Sequence, residues 1–329
     1  MKTTVKVGSC SAEPSAKSSG QIGAGNHPDG SAIELPVLIA NGADDGPRVW
    51  INGSIHGDEP EGPLAIISLF RRLRPEKMRG AVIGIPVVNT VAFEACERGN
   101  PLDTFSYDMN RIYPGRPEGF LSERVAHAHY QEMVGQADVE ISIHSGGAHS
   151  YLAQAAIFGP GEKSFELAKA LGPGWDLLLR SFASKGTPSA VMDQLGRASV
   201  TIELGGICDT VPERYLRNGE LLAESLMNVL KHYGVVEGEA QYADRWLVGS
   251  ADVMSVQQSG LWVPEPKIVM RRPVKEGTLV AKVLNLRGEV LEEVRTPEDC
   301  VVFGIRTRPQ VFAGDWAVFY SVVDQEIVV

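Results

Sequence analysis

The sequence predicts an α/β domain, built on a mixed and mainly parallel sheet flanked by helices, followed by a smaller all-β domain. Three observations carry this reading. Apolar runs of strand length alternate with segments of helical periodicity from about residue 32 to residue 233, as in chains that lay helices on a sheet. Polar residues able to do chemistry recur where those strands end, which is where open α/β sheets place their ligands. Beyond Leu247 the helical periodicity stops. Short β-rich runs are then broken by Arg272-Pro273, Glu276-Gly277, Arg287-Gly288, Thr296-Pro297 and Ala313-Gly314-Asp315. A length of 329 residues suits one large domain, residues 1–235, and a smaller one, residues 245–329, with the stretch from Gly234 to Ala243 as linker.

Residues 32–39 and 48–55 alternate or run apolar and read as two strands joined by the turn Asn41-Gly42-Ala43-Asp44-Asp45-Gly46-Pro47. From Pro60 onward Leu64, Ile66, Ile67 and Phe70 follow at helical spacing. Arg71, Arg72 and Arg74 close that segment, where cations favour a helix C-terminus. The nearly continuous apolar run at 81–88 predicts a strand buried on both faces. Ser122 is the expected N-cap of a helix over 122–134, with Val125, His129 and Met133 along one face. Residues 137–143 read as a strand ending in His144-Ser145-Gly146-Gly147, and 199–204 as one ending in Gly205-Gly206. A last helix over about 212–233 closes the larger domain.

A hydrophobic fraction of 43% and a charged fraction of 22% are ordinary for a globular protein, and no apolar run approaches the roughly 20 residues of a membrane helix. A formal charge of −10 argues against nucleic acid as a partner. Cys10, Cys96, Cys208 and Cys300 form no CxxC pair, and the Gly/Ser-rich N-terminus has no apolar signal core. Both features point to a reducing, cytoplasmic setting. An even-numbered homo-oligomer is the default expectation for such a protein.

The chemistry begins at Ser54-Ile55-His56-Gly57-Asp58-Glu59-Pro60. His56 and Glu59 suit a divalent zinc ion, and a set of two histidines and one carboxylate leaves a position open for water. Read alone, an HxxE pair is also ordinary polar surface. His144 is the candidate third ligand, because it ends an apolar strand before Ser-Gly-Gly, where backbone packs closely. Glu203 is the only charged residue in Val200-Thr201-Ile202-Glu203-Leu204-Gly205-Gly206. It reads either as a structural carboxylate paired with an arginine or as a general base. In Asp108-Met109-Asn110-Arg111-Ile112-Tyr113-Pro114-Gly115, Arg111 can clamp a carboxylate and Asn110 can add a donor, although a surface turn with an ion pair fits as well. His127, His129 and His149 read as structural, and Trp262 as either core or active-site wall.

Taken together and in order, HGDE from His56 to Glu59, DMNRIYPG from Asp108 to Gly115, SIHSGG from Ser142 to Gly147 and TIELGG from Thr201 to Gly206 resemble the succinylglutamate desuccinylase/aspartoacylase family, which belongs with the zinc carboxypeptidases. The likeness covers about residues 36–233. It implies one Zn2+ held by His56, Glu59 and His144, a catalytic Glu203, and a substrate carboxylate bound by Asn110 and Arg111. It also implies an arginine that polarises the scissile carbonyl. Arg98 is the nearest candidate for that role and equally reads as a surface loop residue. The implied reaction is hydrolysis of the amide of a small, carboxylate-bearing N-acyl amino acid or related N-acyl amine. A carboxypeptidase acting on short peptides is the alternative within the same chemistry, and a non-catalytic ligand-binding protein is the alternative outside it. The C-terminal region resembles a biotinyl/lipoyl carrier fold, but Asn285-Leu286-Arg287-Gly288-Glu289 lacks the carrier lysine.

Overall fold

Small residues at the start of the chain let backbone pack on backbone, and the Gly/Ser-rich segment folds as strand. The computed structural model describes residues 2–103, 105–180, 185–206 and 212–329. A short hairpin of β1 (Val5–Val7) and β2 (Cys10–Ala12) packs on β3 (Ala16–Asn26). A side chain at Gly20 would lie 2.6 Å from the backbone of Cys10, so glycine permits the contact. β3 pairs with β4 (Ala32–Asn41), and β5 (Asp44–Gly53) leads into the HGDE loop and α1 (Glu61–Arg72). β6 (Arg79–Ile85) stops earlier than the apolar run suggests, since Pro86 has no N–H to give the ladder.

After α2 (Thr90–Ala95) comes α3 (Leu121–Gln136). Ser122 is not its cap. Phe120 occupies that position, with its N–H donating to Glu123 Oε2 at 2.8 Å, and Ser122 lies in the first turn with its N–H given to Asp103 Oδ2 at 2.8 Å. A carboxylate at the third helical position has taken the work expected of the serine hydroxyl. The chain continues through β7 (Val139–His144), β8 (Ser150–Phe158), α4 (Glu162–Lys169), β9 (Leu177–Arg180), α5 (Pro188–Gln194), β10 (Ala198–Gly205) and α6 (Pro212–His232). The C-terminal segment supplies β11 (Arg245–Ser255), β12 (Gly260–Pro264), β13 (Pro273–Val274), β14 (Leu279–Leu284), β15 (Val290–Arg295), β16 (Cys300–Arg306), β17 (Gln310–Val311) and β18 (Trp316–Val328).

One sheet of 12 strands runs in the order β13-β16-β18-β11-β9-β8-β10-β7-β5-β6-β4-β3. The sheet is mixed, as the sequence predicts, but it is not mainly parallel. β10, β7, β5 and β6 are parallel at its centre, β8 and β9 run parallel to each other and β9 to β11, and every other pairing is antiparallel. Apolar runs report burial on both faces, and burial is the same whether the neighbouring strand runs up or down. Alternation within β5 shows the layers: Val49 and Ile51 enter a core with residues of α1, α4 and α6, while Trp50 enters the opposite core with residues of α3 and α5.

β16 pairs with β18 on one side and with β8 on the other, so β8, β9, β11, β18 and β16 close a ring of strands. Leu152, Ala155, Leu177, Leu179, Val301 and Phe303 fill it. The change of composition near residue 245 is therefore not a break in the sheet. A separate four-stranded sheet, β15-β14-β12-β17, has its own core around Trp262, Val280 and Val283. Among the described residues no helix is long and apolar enough to cross a membrane. Cys10, Cys96 and Cys300 are free thiols, and Cys208 lies outside the described residues.

Candidate active site

Each site residue sits at the end of a strand of the parallel centre or on a loop packed there. His56, Asp58 and Glu59 occupy the loop between β5 and α1. Gly57 holds that loop against α2, because a Cβ there would lie 2.0 Å from the carbonyl carbon of Ala92. The Ser54 hydroxyl donates to the Glu59 carbonyl at 2.8 Å and ties the loop to itself. His144 ends β7, and Glu203 stands directly opposite it on β10.

These placements bring three ligand-type side chains into one buried cluster. His56 Nδ1 lies 2.8 Å from Glu59 Oε1, His144 Nδ1 lies 2.8 Å from Glu59 Oε2, and the two Nδ1 atoms are 3.2 Å apart. One atom from each residue falls within 4.8 Å of the others, and the residues are 2–3% exposed. Burial alone would raise the Glu59 carboxyl, but the facing imidazoles outweigh it and hold the group well below the usual carboxylate range. Burial likewise opposes charge on His56, and the carboxylates of Glu59 and Asp108 overcome it and raise that imidazole.

The donor set fits a divalent cation. His56 Nε2 lies 3.1 Å from Asp108 Oδ1, a contact that assigns the ring proton to Nε2 and turns the Nδ1 lone pair toward the cluster. His144 Nε2 is buried without a partner, and Ser145 N–H adds a donor to Glu59 Oε2 at 3.2 Å. Two imidazole nitrogens facing two carboxylate oxygens at such separations match the nitrogen and oxygen ligands that zinc takes.

Glu203 is half-buried, and its Oε2 is withdrawn from solvent and has no hydrogen-bond partner among the described residues. Burial, with a smaller push from Glu59 and against His144, moves its carboxyl up to about 8. Arg98 is not a free surface residue. Its Nε and Nη2 donate to Asp108 Oδ2 at 3.3 and 3.1 Å, and Nη1 is 3.8 Å from Glu59 Oε1. Asn110 is buried on the short 3-10 turn Met109–Arg111 with its Oδ1 unpartnered, while Arg111 is exposed and spends Nη1 on the Asn110 carbonyl at 2.9 Å.

Sequence reasoning assigned no role to three residues that build this site. Asp108 bridges His56 and Arg98, Asp58 Oδ2 accepts the Ala148 N–H at 2.8 Å, and Glu61 Oε1 accepts the Gly206 N–H at 2.8 Å. All three lie within or beside the motifs, so motif membership was the available signal. His129 is core, as expected, between Trp50 and Tyr113. Trp262 is also core: it is 3% exposed, and its indole N–H donates to the Arg306 carbonyl at 3.0 Å.

The sequence profile of the succinylglutamate desuccinylase/aspartoacylase catalytic domain matches residues 45–230, and all the residues of the cluster lie inside that span. The chain belongs to this family. A curated family relative, the N-alpha-acetyl-L-2,4-diaminobutyric acid deacetylase of Halomonas elongata, is 30% identical over 305 residues, covering 89% of this chain and 87% of its own. The crystal structure of a succinylglutamate desuccinylase from Silicibacter sp. TM1040 superposes with a TM-score of 0.83 at 26% identity, covering 97% of this chain and 100% of that one. The product-bound ectoine utilization protein EutE (DoeB) from Ruegeria pomeroyi superposes at 0.81 with 25% identity, covering 94% and 95%. Similarity to these family members extends past the matched catalytic domain, so the strand ring closed by β16 and β18 falls within the compared length.

Proposed function

We propose that the protein is a deacylase that hydrolyses the amide bond of a small N-acyl amino acid or related N-acyl amine, working with one Zn2+ per chain at His56, Glu59 and His144. The observation that carries this reading is the buried convergence of those three side chains with Glu203 opposite His144 on the neighbouring strand. When bound, zinc supplies Lewis acidity and lowers the pKa of water toward neutrality. Glu203 takes the proton of the attacking water and returns it to the departing nitrogen, a task that its place opposite His144 suits. Arg98, anchored by Asp108, offers N–H groups to the carbonyl oxygen as negative charge grows there. Asn110 and Arg111 hold the substrate carboxylate, which sets the register of the amide and offsets the acidity of the protein.

The relatives support the substrate class, since one is named for removing an acetyl group and another for removing a succinyl group. The test is a hydrolysis screen of N-acetyl and N-succinyl amino acids and diamines on zinc-loaded protein. Glu203→Ala is expected to keep its zinc and lose turnover by roughly 10²–10⁴-fold. Unchanged turnover would remove Glu203 from the mechanism. His56→Ala and His144→Ala are expected to lower bound zinc by elemental analysis, and normal stoichiometry in both would defeat the site. Faster release of C-terminal residues from short peptides than of acyl groups would favour a carboxypeptidase instead.

A further inference from the structure

A cavity of about 470 Å³ lies between the loop after β7 and the segment around β17. His149 lines it from the first, and Arg306, Arg308, Gln310, Phe312 and Asp315 line it from the second. Its walls are held in register by the ladder itself. Arg306 pairs with Ser150, and the N–H groups of Thr307 and Arg308 continue the contact onto the His149 carbonyl at 2.9 and 3.3 Å. Trp262 braces the same stretch through the Arg306 carbonyl.

The two arginines of the cavity are in different states. Arg306 is buried and spent: its Nε and Nη2 donate to the carbonyls of Arg308 and Gln310, and Nη2 pairs with Asp315 at 3.1 Å. Arg308 is exposed to the cavity and meets no carboxylate among the described residues. Its Nη1 is 3.0 Å from His149 Nε2. Burial first, then Arg308 and Arg306, push the His149 imidazole down, which keeps it neutral and able to accept that N–H. With Arg306 balanced by Asp315, the lining carries one net positive charge, and that charge is Arg308. Phe312, 70% exposed, supplies an apolar lip.

The cavity is tied to the reacting centre. Asp58, between His56 and Glu59, accepts the Ala148 N–H at 2.8 Å, and Ala148 directly precedes His149. The charges of Asp58 and Arg98 both bear on His149.

We propose that Arg308, oriented by His149, is a second carboxylate-binding position, so that substrates bearing a carboxylate beyond the one held at Asn110 and Arg111 are preferred. This rests on the deacylase reading of the neighbouring site. A guanidinium with N–H groups to spare binds a carboxylate through paired donors, and one such charge-assisted contact is worth about tenfold or more in affinity.

The experiment compares wild type with Arg308→Gln and Arg308→Lys on three kinds of N-acyl amino acid: with one carboxylate, with a second on the acyl group, and with a second on the amine side. Calorimetric titration of succinate and acetate runs in parallel. The expected result is a kcat/KM preference for one doubly carboxylated kind that falls at least about tenfold in Arg308→Gln, mainly through KM, with part recovered in Arg308→Lys. Succinate is expected to lose more affinity than acetate in Arg308→Gln. Equal losses on all three kinds, or no loss, would overturn the proposal. Succinate binding that depends on Arg308 in a protein hydrolysing none of the substrates would keep the subsite and sink the deacylase reading.

Discussion

His129 lies wholly inside the core, its Nε2 accepting the Trp50 indole N–H at 3.1 Å and its Nδ1 2.9 Å from the Tyr113 hydroxyl. Burial pushes this imidazole down to about 3, whereas in the unfolded chain it titrates near 6.5. Between those values the unfolded state binds a proton that the native state refuses, so the contribution of His129 to stability is complete above the unfolded value and is lost as pH falls toward 3. Glu61 works in the opposite sense, since burial raises it to about 7 and the native state gains a proton first. Comparison with His129→Gln separates the two. The stability gap between wild type and variant, measured by urea denaturation, is expected to narrow as pH drops from about 7 to about 4. A constant gap would mean that the imidazole titrates normally in the native protein. At this scale the convergence of His56, Glu59 and His144 was legible, because side chains of metal-ligand type stand where buried strands end. Arg308 and His149 were not, because they are 159 residues apart and follow no spacing rule.

The loop between β5 and α1 shows how an element can set the chemistry of its neighbours. Gly57 has no room for a Cβ beside Ala92, so Gly57→Ala must move either α2 or the segment carrying His56 and Glu59. The expected outcome is a loss of about 1–3 kcal/mol from overpacking together with weakened zinc binding, read by denaturation and by metal stoichiometry. Full zinc occupancy at wild-type stability would show that α2 does not position the ligands. Of the parallel centre, β7 and β10 were readable, since they are largely apolar and end in histidine or glycine, whereas β5 begins at Asp44, inside the turn expected over 41–47, and only its buried half is apolar. β3 was hidden, because its burial alternates over Gly and Ser with no large apolar residue except Ile22. The cap of α3 departs from the expected Ser122 for a related reason: a serine is a common cap, and only the fold reveals that Glu123 and Asp103 reach the exposed N–H groups first.

At the scale of the molecule, the closed ring of β8, β9, β11, β18 and β16 makes the C-terminal segment part of the sheet that carries the candidate site. Truncation after residue 244 would strip β11 from β9 and β16 from β8 and expose Leu152, Leu177 and Leu179. Such a fragment is expected to aggregate, by size-exclusion chromatography and light scattering, even though it keeps His56, Glu59 and His144. A monomeric, zinc-binding fragment would show that the ring is dispensable. Composition revealed the β-rich tail, but it could not reveal partners, since strand pairing across the chain leaves no local mark. The ring also sets an order of assembly during synthesis. His56 and His144 are separated by 88 residues and both leave the ribosome well before Arg308, which must travel back across 159 residues to reach His149. A newborn chain therefore carries His56, Glu59 and His144 before the strands that must close beside them, β11, β16 and β18, have been made.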